Sequence, residues 1–143
     1  MFSGLNISSS GMTAQRIRTD IIANNLANAD TTRTAEGEPY RRKIPLFLQI
    51  SAGIGGVPFQ SNDASSHKGG VLVSGIREDN TPFRLSYDPS HPDADQEGYV
   101  ELPNVNVVME MTDLISASRS YEANVTAFET SKAMTMRALE IGR

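Results

Sequence analysis

Nothing in the last forty residues can stop a helix. From Val105 to Ile141 there is neither proline nor glycine, the two residues that most often break one. Leu114, Tyr121 and Phe128 recur seven apart, and a second series, Met111, Ser118, Val125, Lys132 and Leu139, precedes them by three. These are the a and d spacings of a heptad pattern. The d series weakens at Thr135. Asn104 or Asn106 can cap the start, since an Asn side chain accepts from orphan N–H groups. Gly142 can take the left-handed conformation that ends a helix. Such a helix spans about 55 Å at ~1.5 Å per residue, too long for a compact chain of 143 residues. It has to lie along something equally long: another helix of this chain, or other copies.

The second helical stretch is residues 3–28. Ala14, Ile17, Ile21 and Asn24 share one stripe, with Ile22 and Leu26 beside it, while Gly11 weakens the first turns. Only four of the first thirty residues are charged: Arg16, Arg18, Asp20 and Asp30. A lone surface helix carries a charged outer face; this one is small and weakly polar all round. That suits a helix with neighbours on several sides. Periodicity alone equally allows an amphipathic helix docked on its own domain.

Between the helices the pattern changes to short strands. Ile44, Leu46, Leu48 and Ile50 alternate with Pro45, Phe47 and Gln49, the proline confining this strand to an edge or its beginning. Val71 to Ile76 gives a strand interrupted by Gly75. Phe83, Leu85 and Tyr87 alternate cleanly with Arg84, Ser86 and Asp88, and Tyr99–Leu102 gives a last short strand. Residues 31–43 read as polar loop ending in a solvated basic cluster, Arg41, Arg42 and Lys43. Residues 51–70, rich in Gly, Ser and Asn, read as flexible loop and residues 88–98 as a turn. The expected fold is mainly α: two long terminal helices packed as an antiparallel coiled-coil core domain, residues 1–30 and 103–143, with a small β-rich insert at 31–102.

Composition narrows the function. A net charge of -4 offers no basic face for nucleic acid. No run approaches the ~18 apolar residues of a membrane span, and the N-terminus lacks the basic and apolar regions of a cleaved signal peptide. There is no cysteine, hence no disulfide and no thiol catalysis. Asp93 to Gly98 resembles the start of a calcium loop, but the twelfth position, where a bidentate Glu is needed, is Asn104. His67 and His91 have no third ligand at a useful spacing. Gly53-Ile54-Gly55-Gly56 lacks the rest of a phosphate cradle. No catalytic, metal or cofactor site is expected.

Two motifs then point to a family. Ala23-Asn24-Asn25-Leu26-Ala27-Asn28, followed by Thr31-Thr32, resembles the N-terminal signature of the bacterial flagellar axial proteins of rod, hook and hook-associated segments. The tail SASRSYEANVTAFETSKAM at 116–134 and PNVNVVMEM at 103–111 resemble the proximal rod members. So do TTRT at 31–34, PYRRK at 39–43, HPDAD at 91–95 and GYV at 98–100. The resemblance covers nearly the whole chain apart from the loop at 51–69. It implies a non-enzymatic structural subunit of the basal-body rod, outside the cytoplasmic membrane. It implies export without a cleaved signal by the flagellar type III apparatus. Its partners would be other copies, neighbouring rod subunits and the export apparatus, with no small-molecule substrate. Ile17, Ile21, Leu26, Met111, Leu114, Tyr121, Val125, Phe128 and Leu139 are the expected helix-packing or intersubunit residues.

Overall fold

The computed structural model describes residues 2–50 and 69–142. The glycine-rich run 53–56, His67 and most of the loop expected at 51–70 lie outside the described residues. Helix α1 spans Phe2–Ala27 and helix α2 spans Val107–Ile141. Between them come strands β1, Lys43–Gln49; β2, Val71–Glu78; β3, Arg84–Tyr87; and β4, Tyr99–Leu102. They form two separate two-stranded antiparallel sheets, β1 with β2 and β3 with β4. Of the two candidate caps, Asn106 is the one used: its side chain accepts from the N–H groups of Val108 and Met109. At the other end Gly142 has φ of -85°, so the expected left-handed cap is absent and the helix simply runs out.

The two helices run antiparallel, side by side, and glycines set the distance between them. A Cβ on Gly4 would lie 3.7 Å from Ser131 Oγ, and one on Gly11 only 2.8 Å from Asn124 Oδ1. Seven residues on α1 thus match seven on α2, and the same register brings Asn25 to Glu110. The inward stripe of α2 is therefore Glu110, Ala117, Asn124 and Ser131, joined by Leu114, Phe128 and Thr135. This corrects the expected a series by one residue. Met111 is 49% exposed, and Ser118 and Lys132 are exposed as well; Leu139, 66% exposed, lies past the point where α1 begins. The expected series follows the larger apolar side chains, but backbones held close by glycine leave room only for small ones, as small residues do wherever helices approach closely. Tyr121 keeps its place in the heptad yet stays 40% exposed, too bulky to enter a seam this narrow. Val125 sits half-buried on the flank, like Ile17 and Leu26 on α1, whereas Ile21 and Ile22 are buried.

The insert is anchored on α1. Ser10 Oγ accepts a hydrogen bond from Val71 N at 3.2 Å, and Ile7 reaches Gly69. An irregularity between Leu46 and Phe47 leaves Ser74 without a partner, its hydroxyl turned to Leu46 O, so β2 continues through Gly75 with a bulge rather than a break. The outer face of this hairpin keeps Leu48, Leu72 and Ile76 more than half exposed. In β3 the period of two is as expected, but Leu85 and Tyr87 point outward and Ser86 lies inward. Tyr87 meets Tyr99 edge to face, ring centroids 5.3 Å apart. Gly98, at φ 83° with the Tyr87 ring against it, closes the turn that brings β4 back.

Candidate functional site

The ANNLAN segment forms the last turns of α1, and it is there that the insert and both helices meet. Asn25 is 1% exposed. Its Nδ2 donates to Lys43 O at 2.9 Å and to Glu110 Oε2 at 3.1 Å. Its Oδ1 accepts from Lys43 N and from the Tyr40 hydroxyl, each at 2.9 Å. An amide side chain has two donor hydrogens and two acceptor lone pairs, so every capacity of Asn25 is spent. No other residue type of this size satisfies two donors and two acceptors at once. Asn24 Oδ1 also lies 3.0 Å from the Tyr40 hydroxyl, and Asn28 donates back to Asn24 O, tying off the helix end. Leu26 is half-buried, while Ala23 and Ala27 lie on the open side.

Glu110 completes the centre from α2. It is 1% exposed, its second oxygen accepting from Arg42 Nε. Arg42 also reaches Asp113 at 3.6 Å and Asp79 at 3.8 Å, and Asp113 takes Arg18 of α1 at 3.0 Å. The backbone on either side of Arg42 is held too. Its N–H donates to Asn104 Oδ1, and Asn104 Nδ2 donates to Asp79 O and to Thr81. The expected solvated face at 41–43 is therefore a clamp. Arg42 bridges three carboxylates, Arg41 stacks over the Phe83 ring at 4.3 Å, and Lys43 lies 5.8 Å from the Tyr40 ring. Burial, then the charges of Glu110 and Glu78, pushes the Tyr40 phenol above its ordinary value. Ala29, Tyr40 and Val105, with Val107 alongside, form a small apolar cluster against this junction.

Chemically the buried centre of the junction is saturated. The side-chain groups of Asn25 and Glu110 find partners, and the charges around them alternate in sign. Arg18, Arg42 and Asp113 stay partly open to solvent and line a shallow cavity of about 280 Å³. In the acidic turn, Asp95 Oδ1 accepts from Glu97 N and Tyr99 N, while Asp93 takes Thr32 and Arg33. These carboxylates are committed to shaping the loop. Asp88 does the same with Ser90, whose hydrogen bonds hold its carboxyl below the usual range. The sequence reading found Asn24, Asn25 and Asn28 as a motif but missed Tyr40, Arg42, Asn104, Glu110 and Asp113. A usable signal was present. Glu110 and Asp113 are acidic residues one turn apart at the start of α2, and PYRRK offers the opposite sign.

The comparisons agree with this geometry. Residues 5–33 match the family described as "Flagella basal body rod protein", and residues 96–141 match "Flagellar basal body rod FlgEFG protein C-terminal". The flagellar basal-body rod protein FlgC of Bacillus subtilis is 49% identical over 99% of this chain and 98% of its own length. FlgC of Borreliella burgdorferi is 48% identical over 99% and 97%, and FlgC of Escherichia coli 42% over 96% and 95%. The two family matches contain the asparagine motif of α1 and Glu110 of α2, while Tyr40, Arg42 and Lys43 of the junction lie between them. The chain belongs to the FlgC family of flagellar basal-body rod proteins.

Proposed function

We propose that this chain is a structural subunit of the proximal rod, the hollow shaft of the flagellar basal body that transmits torque, and that it acts with no catalytic step. The observation that carries this is the end-to-end likeness to FlgC proteins, both helices and the insert included. In this reading residues 1–30 and 103–143 form the rod-building unit, α1 and α2 winding as an antiparallel coiled coil, and residues 31–102 form an insert that the Asn25–Glu110 junction holds at a fixed angle. Ile17, Ile21, Leu26, Leu114, Val125 and Phe128 hold the helix pair, and Tyr121 covers its edge. Met111 and Leu139, open in a single copy, meet other subunits. Copies assemble helically with themselves and with neighbouring rod proteins, because contacts between unlike surfaces whose rotation does not close make filaments rather than rings. The flagellar type III apparatus exports the chain. Absence of cysteine and a core of few large buried side chains fit a chain that passes through a narrow pore unfolded. Among the described residues no helix is long and apolar enough to cross a membrane.

Two substitutions test the reading in a strain lacking its own copy. Phe128 lies half-buried against α1 and Thr130 is exposed on the far side of α2. Phe128→Asp should unfold the pair. Thr130→Asp should leave the monomer intact, yet remove the subunit from isolated basal bodies and abolish motility, because in a tube position 130 meets a neighbour. Normal incorporation of Thr130→Asp would refute packing on that face.

A further inference from the structure

The helix pair meets in layers of period seven, and such a pattern can be satisfied in more than one alignment. The layers are Gly4 with Ser131, Gly11 with Asn124, Arg18 with Ala117 and Asn25 with Glu110. Arg18 crosses the buried Ala117 and takes Asp113, one turn further on, at 3.0 Å. Displacing α1 by one heptad, about 10 Å at ~1.5 Å per residue, keeps the same faces inward and changes only which layers meet. The two directions are not equivalent. Toward the C-terminal end of α2, Arg18 comes against Asn124. There even a Cβ lies 2.8 Å from Oδ1, so only glycine fits and Asn124 blocks the move. In the other direction Gly4 comes against Asn124, Gly11 against Ala117 and Arg18 against Glu110. A glycine again meets Asn124, a second glycine meets alanine, and a guanidinium meets a carboxylate.

What stands against this second alignment is concentrated at one place. Arg42 Nε holds one oxygen of Glu110 and Asn25 Nδ2 the other, so Arg18 would need only the oxygen that Asn25 fills. The insert can stay on α2 through Arg42 and Asn104 while α1 moves beneath it. Residues 28–39 take up the displacement, since extended chain covers ~3.3 Å per residue. The bond from Val71 N to Ser10 breaks, and the places of the buried Ile21 and Ile22 fall to Ala14 and Gln15. We propose that Asn25 is the register lock of the helix pair: by filling Glu110 Oε2 it excludes Arg18, and without it α1 settles one heptad out of step. A single buried polar residue selects one register among several in the same way wherever helices pack on a seven-residue repeat. Asn25 thus sets the alignment of α1 on α2 as well as holding the insert, and the inference stands independently of the rod reading.

The chain has no cysteine of its own, so disulfides can report the register within the full-length chain at high dilution. Gly4→Cys with Ser131→Cys reports the described alignment. Gly4→Cys with Asn124→Cys reports the displaced one. In the described alignment that second pair is about 10 Å out of step, beyond the ~4.4–6.8 Å between Cα atoms that a disulfide spans. Asn25→Ala should raise the displaced crosslink at least tenfold and lower the other in step. Adding Arg18→Ala should return the displaced crosslink to its starting level, because the competing partner of Glu110 is gone. A rise that ignores Arg18 is general loosening and overturns the proposal. An unchanged displaced crosslink in Asn25→Ala overturns it as well. So does loss of both crosslinks together with the far-UV helix signal, since a displaced pair is required and not an unfolded one. Failure of the first pair to crosslink when Asn25 is intact overturns the alignment on which the proposal rests.

Discussion

Removing the Glu110 carboxylate should be the most damaging single change at the junction of insert and helices. Glu110 is 1% exposed and serves two donors, Arg42 Nε and Asn25 Nδ2. Truncating one partner of a buried ion pair costs about 3–5 kcal/mol, because the other charge is left poorly solvated. Here Arg42 keeps 24% of its side chain in contact with solvent and retains Asp113 and Asp79, which places that part near ~3 kcal/mol or below. Asn25 still donates to Lys43 O, so its lost bond adds about 1 kcal/mol. Glu110→Ala should therefore destabilise by about 3–4 kcal/mol. Glu110→Gln keeps the shape but turns one oxygen into a donor. Whichever way the amide faces, it meets either the Arg42 or the Asn25 donor with another donor, a loss of about 1–3 kcal/mol. Urea denaturation followed by circular dichroism measures both variants. A domain holds only ~5–15 kcal/mol in total, so Glu110→Ala should already be partly unfolded in mild urea. A shift below about 1 kcal/mol for Glu110→Ala would refute the view that this carboxylate is the buried centre of the junction.

Two further outcomes follow from the same contacts. Gly11→Ala should gain nothing despite the ~1 kcal/mol of helix propensity it offers, because its new methyl strikes Asn124. Combined with Asn124→Ala the gain should appear, as a coupling of about 1 kcal/mol in a double-mutant cycle; additive effects would mean the helices are not that close. The Tyr40 phenol is raised first by burial and then by Glu110 and Glu78, so the folded state holds the proton longer than the unfolded chain. Its contribution to stability is complete below the ordinary phenol value of ~10 and is lost as pH rises through the folded value. Urea midpoints should fall from pH ~10 upward in the native chain and fall less in Tyr40→Phe; parallel curves would refute the assignment.

Much of the chain map can be read without a structure because it rests on local chemistry. The 37 residues free of Pro and Gly, the Asn cap, and the alternation at 44–50 and 83–87 each act within a few residues of themselves. What these signals leave open is the choice of face. A heptad reading weights large apolar residues and so selects Met111, Val125 and Leu139. The helices instead meet on Gly4, Gly11, Ala117 and Ser131, where the decisive fact is the absence of a side chain. Glycine spaced by seven in one helix, opposite small residues spaced by seven in another, is the pattern that would have set the register.

The junction escapes a sequence reading for a different reason. Asn25 and Glu110 are 85 residues apart, and Arg42 and Glu110 are 68 apart. No periodicity links them. Read one at a time they are ordinary polar residues: a helix-ending Asn, a loop Arg, a first-turn Glu that suits the helix dipole. Only the antiparallel return of α2 turns them into a single saturated network. That network also accounts for how a chain with so few large buried apolar side chains holds its insert at one angle. Hydrophobic contact is nearly non-directional, whereas an amide with four fixed partners and an arginine spanning three carboxylates accept one arrangement. In the rod role proposed above, a subunit that transmits torque would need that directional rigidity at the joint between insert and helices. Its helix faces, by contrast, would stay small, weakly polar and half-covered until neighbours arrive.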